Sequence, residues 1–108
     1  MKFLILFLLP FAVQAQTYNC RVLTQTQFNA TTLSTVAIAE NRSRRCLMVQ
    51  NMGDSTIIVK FGSSHSGNEG VMISSKSTWQ PIIIPVNSLY LKSFSTSPGV
   101  NATIIEGK

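Results

Sequence analysis

Few side chains here are equipped for chemistry, and their types and spacing narrow what that chemistry can be. The chain of 108 residues carries one histidine, His65, two cysteines, Cys20 and Cys46, and four acidic residues. A zinc site asks for four ligands at short spacings such as Cys-x-x-Cys, and this set does not supply them. Hydrolytic motifs such as Gly-x-Ser-x-Gly or His-Glu-x-x-His do not occur. Glu40, Asp54, Glu69 and Glu106 are scattered, and His65 has no nucleophile or acid arranged around it in sequence. No cofactor, metal or enzymatic reaction is implied; the expectation is a chain that binds or builds.

Binding residues are easier to nominate. Arg42, Arg44 and Arg45 form the one basic cluster, which could meet phosphates or an acidic surface. Nucleic-acid modules interleave such residues with stacking aromatics, and none lie here, so no specific nucleic acid is expected and a solvated turn is the favoured reading. The run Ser63 to Gly70 (SSHSGNEG) has too little apolar content to fold alone and reads as a flexible loop. Loops held by a rigid scaffold commonly carry recognition, which nominates Ser63, Ser64, His65, Asn68 and Glu69 as contacts.

The first residues read as a leader. Lys2 precedes FLILFLLPFAV, and Val13 and Ala15 stand at the recognition positions of a cleavage site after Ala15. The apolar run is about eleven residues, short of the roughly 18 that a spanning helix needs, and Pro10 interrupts it. Residues 1–15 are therefore expected to be a signal peptide, with a retained apolar anchor as the alternative and the sole membrane contact envisaged; residues 16–108 form a single domain. Without Lys2 the side-chain charge is 8 basic minus 4 acidic, or +4. Export to the periplasm or extracellular space makes a Cys20–Cys46 disulfide plausible, against two thiols that never meet.

The elements that must position these residues are strands. Charged residues are 12% of the chain, about half the usual level, and Ser and Thr replace them, which favours strands and turns over surface helices. Tyr18 to Phe28 alternates with a mostly polar composition, as an edge or half-exposed strand does; Leu33 to Ala39 follows. Arg45 to Gly62 (RCLMVQNMGDSTIIVKFG) carries the clearest pattern and is expected to be a hairpin. Pairing its apolar faces puts Leu47, Val49, Ile57, Val59 and Phe61 in the core, turns Cys46 outward, and leaves Gly53 free for a positive φ. Val71 to Ile73 is a short strand. Gln80 to Val86 places three isoleucines between two prolines, an edge or a bent crossover, with Trp79 beside it as a core lid. Leu89 to Phe94 and Val100 to Ile105 are a last pair joined through Pro98-Gly99, and Glu106 to Lys108 a polar tail. Sequons at Asn29, Asn41 and Asn101 are weak signals in a chain this rich in Ser and Thr. About seven or eight short strands predict an all-β fold: a small antiparallel β-sandwich or jelly-roll-like barrel.

The succession of Arg45, Leu47, Val49, Gln50-Asn51, Ile57 to Lys60, Phe61-Gly62, Val71 to Ile73, Trp79, Pro85, Leu89 to Leu91 with Ser93, and Val100 to Gly107 resembles small β-sandwich accessory proteins of bacteriophage virions, over roughly residues 44–107. The resemblance implies a non-enzymatic decoration, spike or minor capsid protein whose partners are protein subunits, in a homo-oligomer or larger virion assembly. An exported bacterial surface or periplasmic adhesion module is the alternative.

Overall fold

The computed structural model describes residues 20–94 and 99–108. The expected leader, the start of the first strand and most of the Ser95–Gly99 turn lie outside them. Eight strands form: β1 (Leu23–Ala30), β2 (Thr35–Ile38), β3 (Cys46–Asn51), β4 (Ile57–Phe61), β5 (Val71–Ile73), β6 (Thr78–Trp79), β7 (Leu89–Ser93) and β8 (Val100–Gly107). No helix occurs among the described residues. The strands make two four-stranded antiparallel sheets, β1-β8-β3-β6 and β2-β7-β4-β5.

This order is that of a jelly roll. The pairings β1·β8, β2·β7, β3·β6 and β4·β5 are those of one long antiparallel ribbon folded at the β4–β5 turn. Rolling that ribbon adds β3·β8 and β4·β7, and the two arms separate into facing sheets. The all-β sandwich expected from the sequence is therefore present, with eight strands.

The expected hairpin is not. β3 and β4 belong to opposite sheets, and the same is true of β7 and β8. Leu47, Val49, Ile57 and Val59 are nonetheless fully buried in one core, with Phe61 packed against it, because their apolar faces meet across the sandwich instead of side by side. Asn51 makes the bend. It is 1% exposed, its Nδ2 donates to the carbonyls of Ser55 at 2.7 Å and Ile73 at 3.0 Å, and its Oδ1 accepts from Gly53 N at 3.0 Å. Gly53 does not use a positive φ; a Cβ there would stand 2.6 Å from a Val100 methyl, so close approach explains the glycine. Gly70 does need its freedom, with φ +126° and a Cβ position blocked by the Val59 carbonyl.

At the C-terminal end, the expected polar tail is instead the end of β8: Glu106 and Gly107 are paired on both sides, with β1 and β3. Residues 80–88 form no strand; they cross from β6 in one sheet to β7 in the other. Trp79 packs on the core and meets the Phe61 ring at 5.7 Å between centroids, as a lid would.

Candidate functional site

The ends of the sandwich collect the candidate residues. One end carries the β2–β3 segment (residues 39–45), the start of the β4–β5 loop, the β6–β7 crossover, Cys20 and the close of β8. The registers that set this end are Cys46 with Gly107, and Leu89 with both Phe61 and Ile38.

Cys20 and Cys46 are bonded, with Cα atoms 6.2 Å apart. Cys46 points out of the core, yet it is 3% exposed, because the bond lies across the outer face. Gly107 stands between Leu23 and Cys46 in register, and a Cβ on it would come within 2.6 Å of Leu23 and 3.1 Å of Cys20 Cβ. The disulfide thus straps the lead-in of β1 to β3 over a residue that has no side chain.

The three arginines separate. Arg42 and Arg45 are exposed, and Arg42 pairs with Glu40 at 3.4 Å. Arg44, expected at a solvated or contacting turn, is buried with a fully inaccessible side chain. Its Nε donates to Glu106 at 2.6 Å, Nη1 to the carbonyls of Pro85 and Asn87 at 2.8 and 2.9 Å, and Nη2 to the Ala39 carbonyl at 2.8 Å. A buried charge is tolerated when paired and fully hydrogen-bonded, and this one ties three segments to β8. Nothing local in the sequence distinguishes it from its neighbours, since its partners lie up to 62 residues away.

The β4–β5 loop is held rather than free. Alternation puts Ile58, Lys60, Tyr90 and Lys92 on the outer face of the second sheet, and the loop folds across that face. Ile58 is fully buried although it lies outside the core cluster. Lys92 Nζ donates to the Gly67 carbonyl at 2.8 Å, and Lys60 Nζ to the Ser64 carbonyl at 3.1 Å and to Glu69 at 3.3 Å. Glu69 in turn accepts from the Ser66 amide at 2.5 Å and the Ser66 hydroxyl at 3.0 Å. Those two Ser66 donors, with Lys60 adding to them, pull the Glu69 pKa from 4.5 to about 2.

His65 latches the far side of the loop. Its backbone N–H donates to Ser34 Oγ at 2.8 Å, and Nδ1 lies 2.6 Å from the same oxygen. Nε2 is buried without a hydrogen-bond partner. Burial lowers the imidazole pKa, and nearby Lys92 and Lys60 add to that against Glu69 and the Ile58 backbone. Ser34, which the sequence reading did not single out, is thus the anchor of the loop. Ser63, Ser64, Asn68 and Glu69 remain exposed along its rim.

These positions make no catalytic constellation. Each of the four acids has a cationic neighbour: Glu40 with Arg42, Glu106 with Arg44, Glu69 with Lys60, and Asp54 with Lys76 at 3.6 Å. Among the described residues no three His, Cys, Asp or Glu side chains cluster as metal ligands do.

One surface stands open. β1 is an edge of the first sheet, eight residues long with no proline and no charge (LTQTQFNA), and exposed along most of its length. The other edges, β6, β2 and β5, have two, four and three residues.

No family model matches the chain, and no curated protein matches it. Among solved structures, a chain from the work described as "Bacillus endospore appendages form a novel family of disulfide-linked pili" shares the fold at a TM-score of 0.51 and 10% identity, over 81% of this chain and 85% of that one. At that identity the likeness is one of fold.

Proposed function

We propose that the chain is a non-enzymatic structural subunit of an exported surface assembly, joined to further protein subunits through its sheet edges and the loops beside them. The observation that carries this is β1. A long, uncharged, proline-free edge offers a row of backbone donors and acceptors to another strand, and proteins that stay monomeric normally blunt such edges. The disulfide suits an oxidising compartment, and the pilus subunit with the same fold is an assembling surface protein. A leader ending at Ala15 completes the reading: residues 1–15 direct export and 16–108 form the subunit.

A virion accessory subunit is the second reading, favoured by the eight-stranded jelly roll, an architecture used by viral capsid domains. Mass spectrometry and negative-stain microscopy of cell-surface appendages, virus particles and culture supernatant separate the two. Recovery in filaments supports the first reading, recovery in particles the second, and recovery solely as free monomer overturns both. The same spectra read the N-terminus: an intact Met1 ends the cleaved-leader proposal.

A further inference from the structure

We propose that the end of the sandwich bearing Cys20 and the β6–β7 crossover binds an anionic lipid surface, with Ile82 and Ile83 inserting among acyl chains under a collar of arginine and lysine. Ile82 is 99% exposed and Ile83 86%, two adjacent side chains wholly outside a domain that has an apolar core for them. They are not on a loose loop. Pro81 and Pro85 bracket the segment, Ile84 turns in against the core, and buried Arg44 clamps the carbonyls of Pro85 and Asn87. Asn41 N adds a bond to the Val86 carbonyl at 2.8 Å. The fold holds a hydrophobic knuckle out in solvent.

The surrounding charge says what covers it. Arg21, Arg42, Arg45 and Lys108 are exposed and share this end: Arg45 N bonds the Gly107 carbonyl at 2.7 Å, and Arg21 N the Lys108 carbonyl at 2.9 Å. Of the acids here, Glu106 is taken by Arg44 and Glu40 faces Arg42, so Arg21, Arg45 and Lys108 have no acidic partner among the described residues. Apolar side chains that project beyond a basic rim match acyl chains beneath anionic headgroups. A second copy offers a poorer seat. The hollow of about 440 Å³ at the opposite end is lined by Met52 and Val100 as well as Asp54, Lys76 and Asn101, and its one acid is already paired with Lys76, so it could hold an isoleucine but offers nothing to the arginines around it.

The test uses the exported protein as its host releases it, with the N-terminus identified by mass spectrometry. Tryptophan is placed on the knuckle (Ile82→Trp, with Trp79→Phe) and mixed with vesicles of brominated phosphatidylcholine, alone or with an equal part of phosphatidylglycerol. Quenching on the anionic vesicles and little on the neutral ones supports the proposal. Arg21→Gln and Arg45→Gln should each weaken binding about five-fold, and Ile82→Ser with Ile83→Ser should abolish it without moving Tm, since neither side chain is buried. Vesicle binding without quenching assigns attachment to another segment and overturns the proposal. So does absence of binding with isoleucine-dependent self-association, which would make the knuckle a contact between copies. Equal quenching on both vesicles overturns the role of the basic collar.

Discussion

Arg44 shows how far a residue's role can sit from its sequence neighbourhood. Arg42, Arg44 and Arg45 are alike in type and spacing, yet one is sealed inside the molecule with four acceptors while two face water. Composition and charge patterning report that a turn is basic; they cannot report that Glu106 and the 85–87 backbone will close over one of its members. Removing the guanidinium strands a carboxylate and three carbonyls, so Arg44→Ala should cost about 3–5 kcal/mol, a fall in Tm on the order of 20 °C for a domain this small. Arg44→Met with Glu106→Leu should recover only part of the loss, because the carbonyls of Ala39, Pro85 and Asn87 stay unsatisfied. Thermal melts of the three proteins check both statements. Gly53 teaches the same at smaller scale: its identity was legible as a turn signal, but the reason for it, the Val100 methyl, comes from a strand 47 positions on (100 − 53).

At the scale of elements, strand existence and facing were legible and strand partners were not. A period of two says which side of a strand is apolar. It does not say whether Leu47 and Val49 bury that side beside Ile57 and Val59 or opposite them, and both arrangements satisfy the pattern. The observed arrangement is braced by Asn51, whose amide bonds the Ser55 and Ile73 carbonyls across the sheet-to-sheet bend. The disulfide acts at this scale too. By constraining a 26-residue separation, it should contribute about 3 kcal/mol, read as the loss on Cys20→Ala with Cys46→Ala in urea unfolding. The β4–β5 loop makes a pH prediction with two windows. His65 binds its proton less tightly folded than unfolded. Stability therefore falls as pH drops below the ordinary 6.5 and levels off once the folded form also protonates. Glu69 repeats this lower down: its contribution is complete above 4.5 and is lost as pH falls through about 2. His65→Gln should flatten the upper window, while Glu69→Gln should remove the lower one and deepen the upper, since the Glu69 charge holds the His65 pKa up, followed by hydrogen exchange at the Ser66 amide and by denaturant midpoints across pH.

For the whole molecule, the roll-up leaves an asymmetry that composition does not contain. Three of the four sheet edges are two to four residues long, while β1 runs for eight. Its polar alternation was readable as an edge strand in the sequence; that it would be the long unguarded edge depended on β8 taking its other side along the full length. If that edge joins copies, charge placed along it should stop assembly and spare the fold. Gln25 and Asn29 are exposed on the outer face of β1, so Gln25→Lys with Asn29→Lys should leave Tm within a few degrees and remove filaments or higher oligomers seen by light scattering and microscopy. The bonding between copies is constrained as well. The chain has two cysteines and they are bonded to each other, so contacts made by this subunit are noncovalent unless that bond is exchanged. Assembled material should therefore run at the single-chain mass in SDS without reductant, in contrast to what the name disulfide-linked says of the pili that share its fold. A ladder of covalent multimers that collapses on reduction would instead mean that Cys20 and Cys46 open during assembly and link neighbouring copies, and the strap over Gly107 would then be a feature of the free subunit alone.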